Sequence, residues 1–258
     1  MNAKTRRLIE QYVHENIDTF HARRLETIKS LKLGNVLQNK NPYLFRAKNL
    51  NRAANFMTAL LDARLSSSEE GSFGKFLEGL AIFVAQITGG GMKSGIEGID
   101  IEVIKGGVRY LIAVKSGKKW GNNQARKKKN QDFRRAVKVI RQEDRKSPLQ
   151  PTLGICYGKF QTEDTGEYLH IGGQSFWHLL SDDKRLYVDL IEPLGHGAEA
   201  HAIQFSAEKD ATYNRLTAEF IEKYCDDSYN IDWPKLVRYV SENLPTMPSR
   251  RRRGNANW

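Results

Sequence analysis

Asp100, Glu102 and Lys115 stand in two short runs of alternating character, GIDIEVIK and VRYLIAVK, that are joined by Gly106-Gly107. A glycine pair between alternating runs predicts a β-hairpin, because both central positions of the favoured tight turn need positive φ. With that turn Lys105 pairs with Val108, Glu102 with Leu111 and Asp100 with Ala113. One face then carries Ile99, Ile101, Val103, Tyr110, Ile112 and Val114, an apolar face for a core. The other carries Asp100 and Glu102, with Lys115 one diagonal step from Asp100. Hard divalent cations take oxygen ligands from a few carboxylates and keep several waters. A cation held that way can bind a phosphate and make a water more acidic, and a lysine can stabilise the charge that develops. Glu78, an isolated acid in the apolar run GSFGKFLEGLAIFVAQI, is a further candidate ligand. Solvent-facing decoration of a strand is the plainer use of the same residue types.

The charge distribution points to a polyanionic partner. The chain carries a net charge of +11 over 258 residues, and between Lys105 and Lys146 there are 15 Lys or Arg against three acids, a local excess of +12. Such a concentration suits nucleic acid, because each phosphate neutralised releases condensed counterions. A solvated basic helix without a ligand is the alternative. Within SGKKWGNNQARKKKNQDFRR, the cations Lys118, Lys119, Arg126, Lys127, Lys128 and Lys129 would seek phosphates around an aromatic, amide-rich turn with Trp120. Asn122, Asn123 and Gln124 are candidate readers of base edges, although capping the following helix is the simpler role for either asparagine.

Several elements must position these residues. Leu8, Ile9, Tyr12, Val13, Ile17, Phe20, Leu25, Ile28 and Leu31 recur at helical spacing, which predicts one or two helices over 4–31. GNVLQNKNPYLFRAKNLN reads as a loop. A helix is expected over 52–65, ending at Ser66-Ser67-Ser68, and another over 72–88 that is buried on most sides. After the hairpin, a basic helix is expected over 122–143 with Phe133, Ala136, Val137 and Ile140 as its buried stripe, then a strand over 152–157. SFWHLLSD and RLYVDLIEPLG predict short helices, and 207–225 and 233–244 longer ones, the last with Asp232 as cap and Pro234 just inside. The expectation is one domain over 1–248, comprising N-terminal helices to 65, a core over about 66–160 and a mainly helical remainder. A basic, disordered tail is expected at 249–258.

Other constellations carry less. No run approaches the ~18 apolar residues of a membrane span, and the N-terminus lacks the apolar centre of a secretion signal, so a soluble, cytoplasmic protein is expected. Cys156 and Cys225 stand alone, without the spacing of a zinc site or a disulfide framework. His196 and His201 are five apart, which does not suit one helical face, and are read as loop residues. His170, His178 and Ser175 lack a positioned acid and a nucleophile elbow. Gly89-Gly90-Gly91 lacks the lysine and hydroxyl of a phosphate loop.

The order of a helix glutamate, then GIEGIDIE, then LIAVKSG, then WGNNQ with a basic helix resembles the core of the PD-(D/E)xK nucleases, in particular PmeII-type restriction endonucleases. KNPYLFRAKN upstream resembles a loop that those proteins share, and the likeness covers roughly residues 40–145. The resemblance implies an α/β fold with a mixed β-sheet flanked by helices and helical N- and C-terminal portions. It also implies Mg2+-dependent cleavage of double-stranded DNA at a specific site, and a homodimer. Asp100 matches the motif's first acid, Lys115 its lysine and Glu78 the supporting helix glutamate. The acid expected two residues before the lysine is Ala113 here, and a methyl group cannot bind metal. Glu78, Glu102 and Glu97, in that order, are the candidates to replace it, Glu102 lying one diagonal step away. The departure keeps two alternatives open: a catalytically weak or inactive nucleic-acid-binding protein of the same fold, and a structure-specific repair nuclease.

Overall fold

The hairpin forms in the expected register. In the computed structural model, which describes residues 1–159 and 161–242, β2 (Ile101–Lys105) pairs antiparallel with β3 (Val108–Lys115), with Lys105 opposite Val108 and Glu102 opposite Leu111. Gly106 and Gly107 both hold positive φ, 56° and 77°, as the tight turn demands. Short β1 (Met92–Lys93) extends the sheet on one side. On the other, β4 (Leu149–Ile155) lies parallel to β3, β6 (Leu169–Gly172) parallel to β4, and β5 (Glu163–Asp164) antiparallel to β6. The result is a six-stranded mixed sheet of order β1-β2-β3-β4-β6-β5, in which β1, β5 and β6 were not anticipated from the sequence.

Helices cover both faces of this sheet. α1 (Ala3–Lys29) and the long α4 (Ala53–Gly89) bury Ile101, Val103, Ile112 and Val114 with Ile9, Val13, Leu80 and Val84. α6 (Gln174–Ser181) adds Phe176, Trp177 and Leu180, and Leu186 from α7 (Leu186–Asp189) closes the same cluster. The other face buries Leu111, Ala113, Leu153 and Ile155 beneath α5 (Asn123–Glu143), which contributes Phe133, Ala136 and Ile140. Two buried faces follow from the parallel β3–β4 connection, because its crossover helix must lie on the sheet. Ile99 departs from the expected face. It follows Gly98, whose φ is +86°, and packs into the α5-side cluster.

Three other expectations change. Residues 34–51 are not all loop: α2 (Leu33–Gln38) and α3 (Pro42–Ala47) form there, with Asn41 accepting from the amides of Tyr43 and Leu44 at 3.0 and 3.3 Å and Pro42 at the start of α3. The serine cluster does not end a helix, since α4 runs unbroken for 37 residues and no proline interrupts its hydrogen bonds. Finally, α9 (Ala198–Tyr224), which follows the short α8 (Ile191–Leu194), starts well before residue 207. His201 is therefore helical, and it stacks on His21 while His196 stacks on His14.

Contacts group the chain into two compact units, Met1–Lys29 with Leu65–Glu208, and Ser30–Arg64 with the described residues from Lys209 onward. The first holds the sheet. The second is built on aromatic contacts in which Phe56 meets Phe45, Phe220 and Trp233 with ring centroids 5.0–5.6 Å apart. It also contains α10 (Trp233–Ser241), which starts as expected with Asp232 accepting from the amide of Lys235 at 2.9 Å. The tail at 249–258 lies outside the described residues.

Candidate active site

Asp100 sits immediately before β2, and its backbone joins the sheet by donating to the carbonyl of Ile112 at 2.8 Å. Its carboxylate turns toward β3 and accepts a 2.6 Å hydrogen bond from the amide of Val114. The next residue is Lys115, at the end of β3. Its carbonyl accepts from the amide of Cys156 at 2.9 Å, and the carbonyl of Ser116 accepts from Tyr157 at 3.1 Å, so the lysine leaves the sheet from a backbone fixed on both sides. Glu78 comes from α4. That helix approaches the same end of β3, where Gly74 lies so close to Ser116 that an added Cβ would stand 3.5 Å from its Oγ.

All three residues are half-buried, and Asp100 and Lys115 both act on the Glu78 carboxyl. Burial pushes the Glu78 carboxyl up from its ordinary range, the Asp100 carboxylate pushes it further, and Lys115, Lys93 and Lys75 oppose them. Cys156 lies beneath: burial, with Glu78 adding to it, pushes the thiol up to about 12. This keeps it a neutral thiol, and no disulfide involves it. Among the described residues no three or more His, Cys, Asp or Glu side chains converge as a self-sufficient metal site. The donor set nevertheless fits Mg2+, which often takes only one or two carboxylates and fills its remaining positions with waters and phosphate oxygens. The repulsion between Asp100 and Glu78 is what a cation between them would relieve.

Glu102 is brought elsewhere, which corrects its candidacy. The residue is 7% exposed, and its two oxygens are engaged by Ser94 Oγ at 2.6 Å and by Arg109 at 2.5 and 3.1 Å. A carboxylate neutralised that way holds β2, β3 and the preceding loop together, and does not reach toward Ala113. Ala113 itself is fully buried in the α5-side core. Glu97 is exposed and pairs with Arg135 at 3.2 Å.

The basic stretch divides in the same manner. Lys118, Lys119, Asn122, Asn123, Gln124, Arg126, Lys127 and Lys128 are exposed around the start of α5. Asn122 is its N-cap, accepting from the amide of Ala125 at 3.0 Å. Trp120 is half-buried against the α5-side core. Lys129 corrects the expectation of a solvent-facing cation: it is 8% exposed, donates to the Gly98 carbonyl at 2.9 Å and pairs with Asp132 at 3.3 Å. Asp132 in turn packs on Gly98, where a Cβ would lie 2.7 Å from its carboxyl carbon. The loop that delivers Asp100 is thus clamped to α5.

Tyr157, which the sequence did not single out, and His170, weighed there only with His178 and Ser175, take their surroundings from the fold. The phenol of Tyr157 lies over Gly117, where a Cβ would stand 2.5 Å from its oxygen, and the residue remains 63% exposed while its amide donates to the Ser116 carbonyl. His170 stands across from Glu163; burial pushes its imidazole down, Glu163 opposes this, and Arg126 and Lys118 add to it. Neither belongs to a sequence motif, because each is placed by strand neighbours distant in the chain.

A family model for type II restriction endonuclease EcoO109I matches residues 7–202, about three quarters of the chain. A search of curated proteins gives no match.

Proposed function

Since the chain belongs to the EcoO109I family of type II restriction endonucleases, we propose that it hydrolyses double-stranded DNA at a specific sequence, with Mg2+, through Asp100, Glu78 and Lys115. The observation that carries this reading is their convergence at the end of β3, beside the exposed cations that precede and begin α5.

In this reading Asp100 and Glu78 hold Mg2+, which supplies charge neutralisation at the scissile phosphate and a more acidic water. Asp100 is oriented for that role by the Val114 amide, so little rearrangement is needed on binding. Glu78 takes the part of the acid missing at Ala113. Lys115 holds the phosphate and stabilises the charge developing on it. Lys118, Lys119, Arg126, Lys127 and Lys128 position the DNA backbone, and Asn123 and Gln124 are the residues free to reach base edges. The proposal extends to the PD-(D/E)xK class, to PmeII-type enzymes within it, and to a homodimer acting on a near-palindromic site.

Several long double-stranded DNAs incubated with purified protein, with Mg2+ or with EDTA, test it. Discrete fragments that require Mg2+ are expected. DNA left intact on every substrate would overturn the proposal and favour a binding protein of the same fold, whereas cutting confined to branched duplexes would favour a repair nuclease.

A further inference from the structure

We infer that the groove between α1 and α4 is a second phosphate-binding site, which holds the DNA backbone on the side of the cleavage centre away from α5. This rests on the nuclease reading above and extends it to residues that neither the motif nor the basic stretch includes.

The two helices run antiparallel: Tyr12 stacks on Phe83 with centroids 4.3 Å apart, Phe20 meets Phe73 at 5.2 Å, and Arg24 pairs with Glu69 at 2.7 Å. Between these contacts they leave a cavity of about 140 Å³. Tyr12, Asn16, Thr19 and Arg23 line it from α1, at the spacing of one helical stripe, and Ser72 and Lys75 line it from α4. Asn16 Nδ2 donates to the Tyr12 carbonyl at 2.8 Å and Ser72 Oγ to the Glu69 carbonyl at 3.1 Å, and Phe20 and Phe76 complete the lining, so the groups left to meet an anion are the two cations with the Tyr12 and Thr19 hydroxyls beside them.

Arg23 and Lys75 are both exposed, and neither has an ion-pair partner among the described residues. Adjacent Arg24, by contrast, is neutralised by Glu69. Two unneutralised cations at one polar groove recognise an anion, and phosphodiesters present the oxygens that a guanidinium and an ammonium take. The location identifies which anion. Lys75 is one helical turn from Glu78 on the same face and acts electrostatically on its carboxyl, and the Tyr12 hydroxyl touches the backbone at Gly79, where a Cβ would stand 2.8 Å away. A backbone passing Glu78 and Lys115 continues onto this groove, which gives the strand a hold on α4 as well as on α5.

The test uses the full chain, a duplex that the parent cleaves, and Ca2+ in place of Mg2+ to measure binding over a range of salt. Arg23→Ala with Lys75→Ala is expected to weaken binding, and to reduce the slope of log affinity against log salt by about 0.9 for each phosphate that is no longer neutralised, nearly 2 for the pair. Arg23→Lys should keep most of the parent slope, and Arg23→Glu should weaken binding more than Arg23→Ala. A parent that cuts and binds, beside a folded double variant with parental affinity and slope, would overturn this inference and leave the nuclease reading intact. A parent that neither binds nor cuts duplex DNA would overturn both.

Discussion

The carboxylate of Asp100 is joined to the amide of Val114 by a 2.6 Å hydrogen bond, so the acid before β2 is fixed to the residue immediately before Lys115. This ties the spacing of acid and lysine to the hairpin register rather than to loose side chains. The same fixity leaves the charge of Asp100 close to Glu78, and the consequences can be measured.

Glu78 should impose a pH dependence on stability. Its carboxyl is held above the ordinary range, by burial first and by Asp100 second, so the folded protein binds its proton more tightly than the unfolded chain does. Stability from this group is then complete below the unfolded value and is lost as pH rises through the folded one. Glu78→Gln is expected to be more stable than the parent at neutral pH, with the difference vanishing in acid. Thermal unfolding from pH 4 to pH 8 without metal checks this, and an equal offset at every pH would contradict it.

Added Mg2+ should raise the parent's unfolding temperature, because a ligand that binds only the folded state stabilises it. Asp100→Ala is expected to abolish the rise. Glu102→Gln should retain it while lowering stability in the absence of metal, since Glu102 is occupied by Ser94 and Arg109. Loss of the Mg2+ response in Glu102→Gln, with a native fold, would restore that residue as a ligand.

The cations of α5 should separate into two kinds. Lys129→Ala leaves buried Asp132 with only the 3.5 Å contact of Arg135 and frees the Gly98 carbonyl, and is expected to cost about 2 kcal/mol of stability. Lys127→Ala and Lys128→Ala remove exposed charges, with stability changes of under about 0.5 kcal/mol. They should instead weaken duplex binding and flatten its salt dependence. Denaturant unfolding and binding titrations on the three variants distinguish the kinds, and similar behaviour of all three would contradict the division.

The sequence revealed most where local rules were decisive. Gly106-Gly107 set the turn, the pleat set the register, and together they placed Asp100, just ahead of β2, beside the end of β3 that carries Lys115. Capping chemistry located the starts of α5 and α10 at Asn122 and Asp232. Where tertiary partners decided, local rules misled. Ser66–Ser68 looked like a helix end, yet α4 continues through them without a break. Glu102 and Lys129 had the right chemistry for metal and for phosphate, but each found a partner, half-buried Arg109 and buried Asp132, that residue type alone does not reveal. His196 and His201 read as loop residues because their stacking on His14 and His21 joins residues some 180 apart in the chain.

The most direct test of the central claim is single-turnover cleavage of a mapped duplex site by the parent, Asp100→Ala, Glu78→Gln and Lys115→Ala at saturating protein and Mg2+. The account predicts a rate loss of about 100-fold or more in each variant with DNA binding retained. Parental rates in Asp100→Ala or Lys115→Ala would contradict it and place the cleavage centre elsewhere in the chain.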